Sequence, residues 1–355
     1  VPKIRVLVVD DSVVIRRVVT QLLSEDEDLE VVGTAANGEI ALAKVDQVSP
    51  DIVVLDVDMP EMDGLETLTH LKLKNPELPV IMFSGLTERG ADITLEALFR
   101  GALDYVTKPG NFSDAEAALA AIRLELIPKI KIVCKPVRVR RRPERITPAR
   151  TPEHGGGVVD AVVVAASTGG PAALASVLDS FQGPPPVPVL VVQHMPPVFT
   201  RYLAMQLATK TGLKVEEGRD GVPVRPGEVW IAPGDHHMLV ERAGERVRLR
   251  LDRGPRENSL RPAADVLFRS AVRAWGGGVL GMVLTGMGRD GLRGAEAIHQ
   301  AGGSIVVQDE ASSVVWGMPG NIVAGGLADT VLPADELGPW LVARLEAGRE
   351  GSRDG

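Results

Sequence analysis

Two kinds of hydrophobic pattern alternate along the first third of the chain. Short continuous apolar runs, "IRVLVVD", "DIVVLDV", "LPVIMFSG" and "ALDYVTKP", lack the polar alternation of a half-solvated strand and predict parallel strands covered on both faces. The segments between them, such as "SVVIRRVVTQLL" and "GLETLTHLKLK", carry apolar residues at helical spacing. About five βα units result, which predicts an α/β domain with a doubly wound parallel sheet over residues 1–126.

The periodicity lapses next into Pro, Arg and "HGGG", a composition that cannot build a packed core. Residues 127–157 are therefore expected to be a flexible linker. Its basic run, "VRVRRRPERITPAR", is expected to be a solvated connector. From Asp160 onward the α/β pattern resumes, with "AVVVAA", "VPVLVVQH", "GGVLGMVLTG" and "GSIVVQD" as strands and "PPVFTRYLAMQLATK", "PAADVLFRSAVRAW" and "LRGAEAIHQAG" as helices. "HHMLVERAGERVRLRLD" predicts a hairpin turning at Ala243-Gly244. A second doubly wound domain, mainly parallel and carrying this hairpin, is expected over 158–350.

Doubly wound sheets bind ligands at the carboxyl ends of their strands. In the first half Asp10 and Asp11 end the first strand, Asp56 ends the third, Ser84 follows the fourth and Lys108 follows the fifth. Crowded carboxylates repel unless a hard cation sits among them, and Mg²⁺ prefers a few carboxylates plus waters and phosphate oxygens. A lysine and a hydroxyl beside such an ion complete a cradle for a phosphoryl group. Helix capping would explain any one of the aspartates, but not three of them with a hydroxyl and a lysine on one rim.

The segments "VLVVDDS", "DIVVLDVDMPEMDG", "FSG" and "DYVTKP" resemble the receiver domain of two-component response regulators, a flavodoxin-like fold with a five-stranded parallel sheet. The resemblance implies that Asp56 accepts phosphate from a histidine kinase. It further implies that Asp10, Asp11, Asp56 and the backbone carbonyl of Asp58 hold Mg²⁺, that Ser84 and Lys108 contact the phosphoryl group, and that Tyr105 is the aromatic switch.

In the second half, "VVVAASTGGPAAL" reads as strand, serine, helix. Small residues on either side of Ser167, at Ala165 and Gly169, allow the sharp bend of a nucleophile elbow, and Pro171 suits a first helical turn. A phosphate-binding turn would look similar but for the missing Walker lysine. A nucleophilic serine needs a base and an orienting acid. His194 terminates the strand "VPVLVVQH" and Asp290 lies beyond "GMVLTG", so all three fall at the same kind of position in a parallel sheet, where neighbouring strand ends share one rim. The order Ser, His, Asp differs from that of α/β-hydrolases and points to another fold. Asp235, His236 and His237 lack metal-ligand spacing, since adjacent residues on an extended segment point to opposite faces. His299, inside a helical pattern, is expected to be a surface or packing residue.

"AASTGGP", "QHMP", "APGDHHM", "RPAADVLFRSA" and "LTGMGRDG" resemble the catalytic domain of the chemotaxis protein-glutamate methylesterases of CheB type. The resemblance implies a phosphorylation-regulated hydrolase that removes methyl esters from glutamates of methylated chemoreceptors and deamidates receptor glutamines, with no cofactor for ester hydrolysis. Ser167, His194 and Asp290 match the family's triad, and Met287 matches the position whose backbone is associated with the oxyanion site. Backbone N–H groups at Thr168 and Met287 are the oxyanion candidates. Ala165 stands where the family has glycine, and Leu260 where it often has histidine.

Charge and composition narrow the partners. The net charge is −8, which argues against general nucleic-acid affinity. No apolar run approaches the roughly 20 residues that span a bilayer, and "VPKIRVLVVDDS" lacks the marks of a secretion signal. A cytoplasmic location without membrane insertion is expected. The single cysteine, Cys134, excludes an internal disulfide. The alternative, a response regulator with a non-catalytic binding output domain such as a DNA-binding one, fits poorly with a strand-rich, glycine-turned second half.

Overall fold

The continuous apolar runs form strands with almost no exposed residue. The structure, a computed structural model, describes residues 2–108, 115–134 and 157–350. The chain divides into two compact units at residues 138 and 139.

In the first unit the strands are β1 (Ile4–Val9), β2 (Leu29–Ala35), β3 (Ile52–Asp56), β4 (Val80–Ser84) and β5 (Asp104–Thr107). They alternate with helices α1 (Val13–Ser24), α2 (Gly38–Val48), α3 (Gly64–Lys74), α4 (Glu88–Phe99) and α5 (Ala115–Val133). The sheet order is β2-β1-β3-β4-β5 and every pairing is parallel. The chain's direction of winding reverses between β1 and β3, which opens a crevice at their carboxyl ends. Side chains of Ser12, Asn37, Asp63 and Thr87 accept backbone N–H bonds at the starts of α1 to α4, so these helix ends are capped locally.

The expected linker start at 127 is corrected. α5 continues to Val133, because Leu126, Ile127 and Ile130 pack into the core beside Val8, Val54 and Val106. Residues 135–156, the rest of the expected linker, lie outside the described residues.

The second unit has strands β6 (Ala161–Ala166), β7 (Val189–Gln193), β8 (Lys214–Glu217), β9 (Glu228–Ile231), β10 (His237–Ala243), β11 (Arg246–Asp252), β12 (Val279–Val283), β13 (Ser304–Gln308) and β14 (Thr330–Leu332). Its helices are α6 (Gly170–Asp179), α7 (Pro197–Thr211), α8 (Ala264–Trp275), α9 (Leu292–Gln300), α10 (Met318–Ala324) and α11 (Ala334–Glu350). A seven-stranded sheet runs β14-β13-β12-β6-β7-β9-β8. All its pairings are parallel. β10 and β11 form the separate hairpin, with Ala243 paired to Arg246. Its turn is therefore Gly244-Glu245, one residue later than expected, with Gly244 at φ 64 supplying the conformation that an alanine resists. The core between this sheet and its covering elements includes Trp230, Phe268, Leu267, Val283 and Met318.

α6, α7, α8 and α9 have no side-chain cap of their own. For α8 and α9 the first-turn N–H groups are satisfied from elsewhere in the chain, and this builds the site.

Candidate functional site

β12, β6 and β7 are neighbours, and winding reverses at β6, so the crevice rule places a site at their carboxyl ends. Ser167 follows β6, His194 follows β7 and Asp290 lies in the loop after β12. Ala166 pairs with Gln193 and His194 N–H donates to Ala166 O at 3.1 Å, which sets serine and histidine side by side across adjacent strands. Ser167 N–H donates to Thr285 O at 3.1 Å, and Gln193 Nε2 donates to Ser167 O at 2.9 Å. Gly169 takes φ 77, the left-handed conformation that lets the chain turn straight into α6.

His194 Nε2 lies 2.8 Å from Asp290 Oδ2. The histidine side chain is 7% exposed and the aspartate is wholly buried. Asp290 Oδ2 also accepts Ala264 N–H at 2.6 Å, and Oδ1 accepts Asp265 N–H at 3.2 Å and Asn258 Nδ2 at 3.0 Å. Burial alone would raise this carboxyl, but the His194 hydrogen bond and charge, with the two backbone amides, outweigh it and hold Asp290 below the ordinary range. Asp290 thus caps α8 from outside the helix while it engages the imidazole. Among the described residues no hydrogen bond joins Ser167 Oγ to the ring; such bonds often tighten only with substrate present.

Thr168 is buried, and its carbonyl accepts Thr285 Oγ1 at 2.9 Å. Met287 is exposed, and among the described residues its backbone N–H has no hydrogen-bond partner. It sits next to Gly286, where an added Cβ would fall 2.9 Å from Ser167 Cβ and 2.4 Å from Met318 Sδ. Only glycine permits this approach. Ala165 is fully buried in the core with Val192, Val283 and Ala264, so the methyl that departs from the family pattern is absorbed by packing. Leu260 closes a tight turn with Glu257 through its backbone.

Two further histidines, His236 and His237, hold other partners. His236 Nδ1 faces Gly234 O at 3.2 Å, and Arg253 Nε lies 2.9 Å from His236 Nε2. His237 Nε2 faces Pro255 O at 3.0 Å. The sequence did not single out Asn258, Asp265, Gln193 or Thr285. An asparagine before serine signals a turn, and an acid near a helix start signals a cap, but neither pattern names the distant partner.

In the first unit Lys108 Nζ lies 2.6 Å from Asp56 Oδ1 and 2.8 Å from Asp10 Oδ2. One oxygen each from Asp10, Asp11 and Asp56 falls within 4.8 Å of the others. Asp10 Oδ2 is buried and has no donor in hydrogen-bond geometry, its Lys108 contact being an ion pair alone. This donor set fits a hard divalent cation. Burial raises the Asp56 carboxyl to about 6 against the opposing pull of Lys108. Burial lowers Lys108, but Asp56 and Asp10 outweigh it and hold the ammonium above its ordinary value. Asp58 is exposed at the rim, with Arg89 Nε 3.8 Å from its carboxylate. Ser84 Oγ is buried and donates to Gly90 O at 3.2 Å and Gly85 O at 3.3 Å, so here it is turned toward α4 and not toward Asp56. Tyr105 is buried, with Lys129 Nζ 5.2 Å from its ring centre.

Similarity to known proteins follows the same division. The response regulator receiver domain matches residues 6–120, and the CheB methylesterase model matches residues 162–341. The protein-glutamate methylesterase/protein-glutamine glutaminase of Trichodesmium erythraeum is 47% identical, covering 97% of this chain and 99% of that protein. Its counterpart in Nocardioides sp. is 50% identical, covering 97% and 96%. The crystal structure of the Thermotoga maritima CheB methylesterase catalytic domain matches with a TM-score of 0.51 at 39% identity, covering 52% of this chain and 98% of that one. No helix among the described residues is long and apolar enough to cross a membrane. With both domain types matched and such identity over nearly the whole length, the chain belongs to the CheB family of protein-glutamate methylesterases, with a response regulator receiver domain preceding the methylesterase domain.

Proposed function

We propose that this enzyme hydrolyses glutamate methyl esters on chemoreceptors through Ser167, His194 and Asp290, and that phosphorylation of Asp56 by a histidine kinase regulates it. The observation that carries the first part is the 2.8 Å contact between His194 and Asp290, beside a serine one strand away. Ser167 Oγ attacks the ester carbonyl as His194 takes its proton. The tetrahedral intermediate collapses, the C–O bond to the methoxy group breaks, and His194 returns the proton to release methanol. Water, deprotonated in turn by His194, then attacks the acyl-serine and frees the glutamate. Attack on a glutamine side chain would release ammonia by the same steps, which accounts for deamidation as a second activity. Asp290 holds the ring and stabilises its cation. Backbone N–H groups of Thr168 and Met287 stabilise the oxyanion, a contribution of about 3 kcal/mol per donor. Met287 is exposed and its N–H has no hydrogen-bond partner among the described residues, which supports this role.

In the receiver, Mg²⁺ held by Asp10, Asp11, Asp56 and the carbonyl of Asp58 would neutralise charge on the incoming phosphoryl group. Asp56 is the nucleophile. Lys108 balances the carboxylates and contacts the phosphoryl oxygens, and Ser84 and Tyr105 rearrange to report the modification. Residues 1–133 and 158–350 are proposed as the functional domains, acting in the cytoplasm where kinase and receptor methylation sites are accessible.

Methanol release from a methyl-esterified receptor, compared between the wild type and Ser167→Ala, tests the catalytic reading. Phosphodonor-dependent acceleration of the wild type, absent in Asp56→Asn, tests the regulatory one. Wild-type turnover in Ser167→Ala would sink the serine mechanism, and equal acceleration of Asp56→Asn would sink the receiver assignment.

A further inference from the structure

One donor at the buried end of the site has no role in the steps above. Asn258 Nδ2 lies 3.0 Å from Asp290 Oδ1 and 2.9 Å from Asp265 Oδ2, so the amide bridges two carboxylates that are each 1% exposed. Asn258 and Ser259 occupy the central positions of a tight turn at φ 53 and 65. It is closed by Glu257 N–H to Leu260 O at 3.1 Å and Leu260 N–H to Glu257 O at 2.8 Å. Positive φ at both central positions is the type I′ arrangement, which asparagine tolerates better than most residues. Arg269 fastens the turn to α8, with its two terminal nitrogens 2.7 and 2.6 Å from the Glu257 carboxylate. The amide is thus aimed by a braced loop, not by a mobile one.

The need for it is electrostatic. Two buried carboxylates sharing a site cannot both ionise cheaply. Asp265 Oδ1 accepts Gly294 N–H at 2.7 Å and so caps α9, while Asp290 caps α8 and faces the imidazole. Among the described residues, the other titratable groups that act on the pair are His194 beyond β7, Glu257 in the turn and Arg269 on α8, while Arg293 on α9 acts on Glu257.

We propose that Asn258 is a positioning residue for ester hydrolysis: its amide fixes Asp290 Oδ1 and thereby keeps Oδ2 on His194 Nε2. This rests on the assignment of His194 as base and Asp290 as its orienter. Burial raises Asp265, whereas its partners hold Asp290 low, which agrees with Asp290 being the carboxylate kept ionised against the ring.

The test uses full-length enzyme and methanol release from a methyl-esterified receptor, with rates referred to folded protein by circular dichroism. Asn258→Gly keeps the turn and removes the donor. It should lower kcat by about tenfold with KM nearly unchanged, and move the acid limb of the pH profile up by about half a unit, because Asp290 with one donor fewer is a stronger acceptor for the imidazole proton and keeps the base protonated to higher pH. Asn258→Asp keeps the shape and the turn but sets an acceptor against both carboxylates, so it should be slower than Asn258→Gly. A packing role predicts the reverse order and an unmoved pH profile, and either result overturns the proposal. Should Asn258→Gly melt early, Asn258→Asp, matched in volume, still supplies the pH profile. In an Asp290→Ala background Asn258→Gly should cost nothing further, since the interaction it supports is already gone. An equal loss in both backgrounds also overturns it. If Asp290→Ala alone leaves the rate intact, the orienter assignment has failed; if Asp290→Ala is slow while Asn258→Gly matches the wild type, Asn258 alone has.

Discussion

His194 meets Asp290 through Nε2, with 2.8 Å between Nε2 and Oδ2. In the chymotrypsin-type template the carboxylate binds Nδ1 and the serine faces Nε2. Here Asp290 takes the other ring nitrogen, which on the proposed mechanism leaves Nδ1 to accept the proton. A carboxylate accepts, so Nε2 must carry the hydrogen when the ring is neutral. Nitrogen-15 shifts of labelled His194 should therefore report the Nε2–H tautomer, with Nδ1 acceptor-like. An Nδ1–H tautomer would mean that Asp290 does not orient the ring as drawn.

Rates should separate the three residues. On this reading Ser167→Ala and His194→Ala each remove about 10⁶-fold of turnover, as deletion of the nucleophile or base does in other Ser-His-Asp hydrolases. Asp290→Asn should retain more activity than either, since the amide misorients the base without deleting it. It should also lower thermal stability by about 1 kcal/mol, the usual size of a cap lost, because Asp290 closes α8 through Ala264 and Asp265 N–H. Loss of activity with no loss of stability would show that the cap is dispensable.

Gly286 makes a stricter demand. An alanine there would bring its Cβ to 2.4 Å from Met318 Sδ and 2.9 Å from Ser167 Cβ. Met318 is fully buried, so relief has to come partly from the serine side. Gly286→Ala is expected to cost about 1–3 kcal/mol of stability by overpacking and to slow ester hydrolysis by more than the folded fraction explains. Thermal melts and methanol release on the same preparation check both. Full activity would place the oxyanion donors elsewhere.

Much of this was legible in the sequence because the informative residues are local to strand ends. Buried apolar runs such as "AVVVAA" and "DIVVLD" marked the strands, and polar residues immediately after them marked both rims. What escaped is non-local or weakly patterned. β8, with burial only at Val215, is a charged edge strand with no apolar run to reveal it, and β2 is broken by exposed and half-buried positions. The end of α5 was hidden by Pro128 and by the arginine-rich stretch beyond it. Asn258 and Asp265 look like ordinary turn and cap residues. Their meeting with Asp290 depends on folding a loop that precedes α8 onto one that follows β12.

The receiver rim carries a pH dependence whose direction can be worked out. Burial raises the Asp56 carboxyl from 3.8 to about 6. Between those values the folded chain holds a proton that the unfolded chain has released, so ionising Asp56 costs stability as pH rises through that window. Mg²⁺ needs the ionised form and should offset this cost where it has been incurred. Millimolar Mg²⁺ should accordingly raise the melting temperature of the receiver transition more at about pH 7.5 than at about pH 5, where the proton competes with the metal. Asp56→Asn, which cannot ionise, should flatten the difference. Labelling by a small-molecule phosphodonor should follow the same rise, since only the carboxylate attacks phosphorus. A Mg²⁺ shift that is equal at both pH values in the wild type would mean that Asp56 is not a ligand of the ion. Labelling of another aspartate would remove it as the nucleophile.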